Sequence, residues 1–231
     1  MTWGSPLRRT NEVEKMKRRA GVVVLLVVTL FCAVTLPKSE AEEQKMVIVA
    51  LGDSLTAGYG LPQSESFPAK LEAALKAQGH KIKVVNAGVS GDTASDGLAR
   101  LDWALPPNAN AVIVEFGAND AFRGLPPAEI EASLAKILDH LKAKGLPVLI
   151  AGMESPRNMG KDYVDQFRAI YADLAERYGA VFYPFFLDGV ALEAGLMQED
   201  AIHPNAKGVD RIVQGILPKV DELLAQVKPK G

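Results

Sequence analysis

Residues 47–55 read Val-Ile-Val-Ala-Leu-Gly-Asp-Ser-Leu, an apolar run that stops at Gly52 and is followed at once by Asp53 and Ser54. A short apolar run that ends on glycine predicts a buried strand, which places Ser54 where that strand leaves the sheet. Open α/β sheets carry their chemistry at this carboxyl edge. Alone, the segment is more typical of a helix cap, because Ser and Asp are preferred at that position. Its meaning therefore depends on the turns that follow.

Two further apolar runs end in polar turns. The run at 82–85 leads into Ser-Gly-Asp at 90–92, and the run at 111–116 leads into Gly-Ala-Asn-Asp at 117–120. A last polar segment, Asp-Ala-Ile-His-Pro at 200–204, precedes the final helical pattern. Because parallel strands release their turns on one edge of a sheet, we expect these segments to lie close together.

The rest of the chain alternates helical patterns with short apolar runs at 147–151 and 181–183. Ser66 is predicted to cap the first long helix. Five short strands separated by helices predict a parallel sheet covered on both faces. We therefore expect an α/β fold, a three-layer αβα flavodoxin-like domain with a five-stranded parallel sheet, in a single domain over residues 42–231.

Four blocks in this order resemble the SGNH (GDSL) hydrolase family. They are Gly-Asp-Ser-Leu at 52–55, Gly91, Gly-x-Asn-Asp at 117–120 and Asp-x-x-His at 200–203. The longer strings at 91–93, 97–101 and 184–186 resemble more narrowly its periplasmic acyl-CoA thioesterase, lysophospholipase and arylesterase subgroup. The resemblance runs from about Met46 to the final helix. It implies a metal-free serine hydrolase of carboxylic esters and thioesters that works through an acyl-enzyme.

The resemblance assigns catalytic roles to Ser54, Asp200 and His203. Ser54 would be the nucleophile, which needs a base, and His203 would be that base, since imidazole exchanges protons near neutral pH. Asp200 would orient the imidazole. The oxyanion hole would consist of the backbone N–H groups of Ser54 and Gly91 and the side-chain amide of Asn119. No metal site and no cofactor are expected, because one Cys and three scattered His offer no ligand cluster.

Met153 and Ile202 are candidate substrate-binding residues, since both fall near the same predicted sheet edge. Ordinary core packing is an equally good explanation for them. The substrate is expected to be a small-molecule acyl ester or thioester. Two alternatives remain open, a carbohydrate O-deacetylase and a non-catalytic exported protein that binds lipid or carbohydrate.

The first 41 residues differ from the rest. Basic residues at 15–19 precede sixteen residues of mostly apolar character at 21–36, and Ser-Glu-Ala at 39–41 has the small-x-small pattern of a cleavage site. The apolar run is shorter than the ~20 residues that span a bilayer. We therefore expect residues 1–41 to be an extension and a signal peptide, and the mature protein to be periplasmic. An uncleaved membrane anchor is the alternative, and Met16 is an alternative start.

Removal of residues 1–41 leaves 19 basic and 25 acidic side chains, a net charge of −6. A negative domain is not expected to bind nucleic acid. The single cysteine, Cys32, lies in the predicted signal, so the mature domain would have no disulfide. We expect a monomer without stable membrane insertion after cleavage.

Overall fold

The predicted strands form one parallel sheet in the computed structural model, which describes Met1 and residues 45–228. Within that part of the chain the strands are β1 Met46–Gly52, β2 Ile82–Gly88, β3 Ala111–Glu115, β4 Val148–Ala151 and β5 Val181–Tyr183. Their order across the sheet is β2-β1-β3-β4-β5, with every pair parallel. This is the flavodoxin-like order, in which the direction of strand addition reverses between β1 and β3. The predicted fold class is confirmed.

Helices separate the strands and cover both faces of the sheet. They are α1 Ser54–Ala57, α2 Phe67–Ala77, α3 Ala94–Ala99, α4 Leu101–Ala104, α5 Ala118–Phe122, α6 Pro127–Ala143, α7 Lys161–Tyr178 and α8 Ala206–Ala225. Two 3₁₀ turns occur at Gln63–Glu65 and Arg157–Met159. α2 packs against α8, whereas α6 packs against both α3 and α7. These two groups of helices form the outer layers of the αβα arrangement.

β1, β3 and β4 are almost wholly apolar because both faces of a parallel sheet are buried, whereas the edge strand β2 exposes Lys83 and Asn86. Every residue of β3 is buried, and only the first residue of β1 is partly exposed. β1 pairs with β2 on one side and with β3 on the other, so the ends of these three strands adjoin. The chain segments that follow β1 and β3 therefore leave the sheet side by side.

Ser66 occupies the N-cap position of α2, but the predicted capping hydrogen bond is wrong. Its hydroxyl donates to the carbonyl of Gln63 at 2.8 Å, and it accepts no hydrogen bond from the helix. The physical reason lies two residues further on. A capping side chain accepts from the N–H of the second or third helical residue. Pro68 is the second helical residue of α2 and has no N–H, so one of these two donors is missing.

The predicted signal peptide and its cleavage site lie outside the described residues. Within 45–228, none of the helices combines the length and the apolar character needed to cross a membrane. The prediction of export therefore still depends on the sequence pattern alone.

Candidate active site

Ser54 is the first residue of α1 and is separated from the end of β1 by Asp53 alone. The Asp53 side chain caps this helix, because its Oδ1 accepts a hydrogen bond from the Leu55 backbone N–H at 2.9 Å. A Cβ at Gly52 would collide with the Thr56 hydroxyl and would lie 2.7 Å from the backbone oxygen of residue 115. Glycine before the nucleophile therefore allows the tight passage from strand to helix.

The hydroxyl of Ser54 is directly connected to His203, although the two residues are 149 positions apart. His203 Nε2 lies 2.9 Å from Ser54 Oγ, and His203 Nδ1 lies 2.6 Å from Asp200 Oδ2. Ser54 and His203 are both half-buried. The structure therefore brings together a hydroxyl, an imidazole and a carboxylate in the order that nucleophilic catalysis by serine requires.

Asp200 also determines the shape of its own loop. Its Oδ1 accepts hydrogen bonds from the backbone N–H groups of Ile202 and His203, each at 3.0 Å. These bonds and the bond to the His203 ring lower the pKa of Asp200 to about 2. The carboxylate is therefore ionised at neutral pH, accepts from Nδ1–H, and leaves Nε2 free to take the proton of Ser54.

A second set of contacts fastens the histidine loop to the segment after Ser54. Gln198 Nε2 donates to the backbone oxygens of Tyr59 at 2.7 Å and Pro204 at 3.0 Å. The backbone N–H of Gln198 donates to the carbonyl of His203 at 2.8 Å. The Tyr59 ring lies over the imidazole of His203, with centroids 4.5 Å apart. The loop that carries His203 and the segment after Ser54 are therefore held together by hydrogen bonds of Gln198 and by the contact of Tyr59 with the imidazole.

Gly91 lies at the third position of a tight turn from Val89 to Asp92. The Asp92 N–H donates to the Val89 carbonyl at 3.2 Å, and Gly91 has a φ of +89°, which L side chains rarely adopt. Two arginines hold this turn. Arg123 donates to the Gly91 carbonyl at 2.7 Å, and Arg100 pairs with the Asp92 carboxylate at 2.6 Å.

The side chain of Asn119 joins the first three motifs. Its Nδ2 donates to Asp53 Oδ2 at 3.0 Å and to the backbone oxygen of Asp92 at 2.9 Å. Asp53 precedes Ser54, and Asp92 follows Gly91. The amide is therefore fixed between the nucleophile turn and the glycine turn, at the point where β1, β2 and β3 end.

Gly117 starts the turn that carries Asn119. Its φ is +121°, and a Cβ there would collide with the hydroxyl of Tyr171. That hydroxyl donates to the carbonyl of Phe116 at 3.0 Å. The first position of the Gly-x-Asn-Asp motif therefore needs glycine both for its backbone angle and for the space that Tyr171 fills.

Three buried carboxyl groups lie at or shortly after the carboxyl ends of β1 and β3, near Ser54 and Asn119 in the chain. Asp53, Glu115 and Asp120 are each 1% exposed or less, and burial is the largest cause that raises the pKa of each. The pKa of Asp53 rises to about 6. Asp120 accepts two hydrogen-bond contacts from the Ala94 N–H, at 3.0 and 3.2 Å, and so holds the start of α3. Asp120 thus ties the third motif to the segment that follows the second.

Glu115 is not among the residues predicted from the sequence, because it lies in the apolar run at 111–116. The signal was present, since an acidic residue ends a strand that is otherwise Ala-Val-Ile-Val. A carboxyl in a doubly covered strand costs free energy unless it is paired or protonated. An acidic residue at the end of a buried strand is therefore a sequence signal for a functional position.

The two candidate substrate-binding residues differ in exposure. Met153 is 3% exposed and packs in the hydrophobic core, which favours the core role that the sequence left open. Ile202 is 46% exposed and precedes His203 in the chain.

Within residues 45–228, no group of three or more His, Cys, Asp or Glu side chains is arranged to hold a metal ion.

Comparisons with known proteins identify the family of this chain. Residues 50–211 match the GDSL-like Lipase/Acylhydrolase family. Esterase TesA of Pseudomonas aeruginosa is 37% identical over 193 residues, which cover 83% of this chain and 95% of that protein. Thioesterase 1/protease 1/lysophospholipase L1 of Escherichia coli strain K12 is 41% identical over 159 residues, 68% of this chain and 75% of that protein.

A solved structure shares the fold. The crystal structure of AlinE4, an SGNH-hydrolase family esterase, is 45% identical, with 78% of this chain and 97% of that chain covered and a TM-score of 0.66. The family match spans most of the chain, and the sequence relatives exceed one third identity. The resemblance predicted from the four motifs is confirmed. The chain belongs to the GDSL-like lipase/acylhydrolase family, the SGNH hydrolases.

Proposed function

We propose that this protein hydrolyses carboxylic esters and thioesters of acyl groups through an acyl-enzyme on Ser54. The observation that carries the proposal is the unbroken connection from Ser54 Oγ through the His203 ring to Asp200, at 2.9 and 2.6 Å. The relatives named esterase and thioesterase/lysophospholipase support the same class of reaction.

In the first half of the reaction, Ser54 Oγ attacks the acyl carbonyl carbon while His203 Nε2 takes the hydroxyl proton. The ionised Asp200 stabilises the imidazolium that forms. The tetrahedral intermediate then collapses, the bond to the leaving oxygen or sulfur breaks, and His203 returns the proton to that atom. Ser54 is left as an ester of the acyl group.

In the second half, a water molecule replaces the leaving group. His203 takes one proton from the water, and the resulting hydroxide attacks the acyl carbon of the Ser54 ester. Collapse of this second intermediate releases the carboxylic acid and returns the proton to Ser54 Oγ. Ser54, His203 and Asp200 end in their starting protonation states, so the same three residues act in both halves of the reaction.

The oxyanion of each intermediate is proposed to accept from the backbone N–H groups of Ser54 and Gly91 and from Asn119. Both hydrogens of Asn119 Nδ2 already have acceptors, on Asp53 and on the backbone of Asp92. A developing oxyanion would therefore share one of them in a three-centre hydrogen bond. This arrangement makes the charge on Asp53 important for the strength of the donor.

Apolar side chains around the imidazole favour acyl groups as the part of the substrate that is recognised. The Tyr59 ring lies over the His203 imidazole and is 54% exposed, and Ile202, the residue before His203 in the chain, is 46% exposed. Exposed large apolar side chains next to catalytic groups are typical of a ligand-binding surface. We place the acyl chain of the substrate on this side of Ser54.

We also propose that the protein is exported and acts in the periplasm after cleavage following Ala41. The pattern at residues 15–41 supports this proposal. Expression in a Gram-negative host, osmotic shock and N-terminal sequencing provide the test. A periplasmic chain that starts at Glu42 is expected, whereas the full-length chain in the membrane fraction would favour an anchor.

A fluorophosphonate probe tests the catalytic proposal, because it reacts with an activated serine and leaves a mass that identifies the site. We expect one adduct per chain, on Ser54, and none in Ser54→Ala. That variant should lose on the order of 10⁴-fold in rate with p-nitrophenyl butyrate. Ser133→Ala, on the exposed surface of α6, is the matched control and should keep full activity. A folded Ser54→Ala protein with a tenth of the wild-type rate would contradict the assignment.

A further inference from the structure

Glu115 is a completely buried carboxyl group for which the reaction above has no use. It ends β3, is 0% exposed, and forms none of the ion pairs seen in residues 45–228. The Thr56 hydroxyl donates to its Oε2 at 2.8 Å, whereas its Oε1 makes no conventional hydrogen bond. An apolar side chain would fill a buried strand at lower cost. The position therefore calls for a role that an apolar residue does not fulfil.

The neighbour of Glu115 is the carboxyl of Asp53. Glu115 pairs with Gly52 across β3 and β1, and it interacts electrostatically with Asp53, the residue after Gly52. A favourable contact between the two carboxyl groups requires a proton on one of them, since two carboxylates are both acceptors. Burial and the adjacent Asp53 charge raise the pKa of Glu115 well above its ordinary value. Hydrogen bonds from Thr56 and from the backbone of Asp53 lower it by less. Asp53 accepts hydrogen bonds from the Leu55 N–H and the Asn119 amide, whereas one oxygen of Glu115 has no donor, so the proton is better placed on Glu115.

Asp53 in turn contacts the proposed oxyanion donor. Its Oδ1 accepts from Leu55, and its Oδ2 accepts from Asn119 Nδ2 at 3.0 Å. A bare negative charge on Asp53 would bind that amide hydrogen tightly and would repel an oxyanion formed nearby. A hydrogen bond from a neutral acid draws charge away from the carboxylate and weakens both effects.

We propose that Glu115 is a positioning residue, a neutral carboxylic acid whose O–H donates to Asp53 and thereby sets the orientation and availability of the Asn119 amide for the oxyanion. The inference rests on the proposed function and deepens it. It places a chain of contacts from Thr56 through Glu115 and Asp53 to Asn119 behind the nucleophile. Other titratable groups that face this chain are His203, Asp120 and Tyr171.

Two variants of similar size test the role of the proton. Glu115→Gln is always neutral, and its amide can donate to Asp53 while its oxygen accepts from Thr56. Glu115→Met fills the space without either function. With p-nitrophenyl butyrate as substrate, we expect the kcat of Glu115→Gln to stay within about 3-fold of the wild-type value. Met should lose about 10- to 100-fold in kcat with little change in KM, because the donor is misplaced rather than removed.

Infrared spectroscopy reads the protonation state without turnover. At pH 8 the wild type should show the C=O stretch of a protonated carboxylic acid, and the difference spectrum against Glu115→Gln should assign that band to Glu115. This arm separates the inference from the proposed function. A protein that has the acid band but neither hydrolyses esters nor reacts with the fluorophosphonate would refute the function while leaving the buried acid established.

Three results would overturn the inference. They are full kcat in a folded Glu115→Met protein, an equal loss of kcat in Glu115→Gln and Glu115→Met, and the lack of an acid band at pH 8. Circular dichroism and the extent of fluorophosphonate labelling check that each variant is folded. If the Met variant does not fold, the Gln variant and the infrared band still decide the question.

Discussion

Both carboxylate oxygens of Asp200 bind His203, Oδ2 at the ring nitrogen Nδ1 over 2.6 Å and Oδ1 at the backbone nitrogen over 3.0 Å. One side chain therefore closes the loop and orients the imidazole. These two functions are usually assigned to different groups, a turn-forming side chain and a catalytic carboxylate. The arrangement allows them to be separated by substitution.

Asp200→Asn should keep the loop and lose the orientation of the ring. The asparagine oxygen can still accept from the Ile202 and His203 backbone, whereas its NH₂ group cannot accept from Nδ1–H. We expect kcat to fall by roughly 10³- to 10⁴-fold with the thermal midpoint nearly unchanged. Asp200→Ala should lower both. Equal thermal midpoints for the Asn and Ala variants would contradict the role in loop closure.

The lowered pKa of Asp200 predicts a pH dependence of stability with a definite sign. Its pKa is about 2 in the folded protein and ~3.9 in the unfolded chain, so its contribution is fully present above the unfolded value. The contribution is lost as the pH falls toward 2. Urea midpoints of wild type and Asp200→Ala should therefore differ by a constant amount above about pH 5 and converge below about pH 4. A pH-independent difference would refute this prediction.

Asn119→Ala should lower kcat by roughly 10²- to 10³-fold, the usual cost of removing an oxyanion donor. KM should change far less, because the hydrogen bond strengthens mainly in the transition state. Asn119 also links Asp53 to Asp92, so a matched variant is needed. Asn119→Asp keeps the size and removes the donors, and it should be at least as damaged in kcat. A rise in KM with kcat unchanged would make Asn119 a binding residue instead.

Ala201, between Asp200 and Ile202, has a φ of +57°, in the left-handed region that disfavours L side chains. Ala201→Gly should relieve about 1–2 kcal/mol of strain and lose about 0.4–1 through the freer unfolded chain. We therefore expect a net gain of between about 0 and 1.6 kcal/mol in unfolding free energy, with kcat retained. Ala132→Gly, at an exposed position of α6, is the control and should lower the free energy of unfolding by about 1 kcal/mol. A loss of stability in Ala201→Gly would show that the backbone is unstrained.

The sequence predicted the sheet because its signals are local. Apolar runs that end on glycine, separated by helical patterns, are enough to define strands and a parallel arrangement. The short helices α3, α4 and α5 were not predicted, although α3 begins with a local capping box between Thr93 and Asp96. The start of α3 also has a distant partner. Ala94, the first residue of α3, is held by the side chain of Asp120, 26 positions away. No local pattern contains that contact.

The site was predictable for the same reason only in part. The four motifs placed Ser54 and His203 together before any distance was known. The bonds of Asn119 to Asp53 and to the Asp92 backbone were not foreseen, because they join residues 66 and 27 positions apart. Each of these residues, considered alone, is ordinary turn chemistry. They act together only because β1 lies between β2 and β3 in the sheet, and this strand order is not evident from the sequence.

The last prediction concerns the length of the acyl chain. Ile202 is 46% exposed and precedes His203 in the chain, so we propose that an acyl chain on Ser54 buries it. Each CH₂ group buried is worth about 0.8 kcal/mol, nearly fourfold in kcat/KM. We expect hexanoyl and octanoyl aryl esters to be hydrolysed faster than acetyl esters, until the apolar surface is filled.

Ile202→Ala should flatten this dependence on chain length, because it removes apolar surface without touching the relay. Trp103→Ala is the matched control. Trp103 is 94% exposed, but α4 leads into the amino end of β3, on the opposite edge of the sheet from Ser54. Its removal should leave the slope of log kcat/KM against chain length unchanged. If the wild type strictly prefers acetyl esters, the acyl-chain proposal fails and carbohydrate O-deacetylation becomes the better hypothesis. If both variants flatten the slope alike, Ile202 has no particular role in binding the chain.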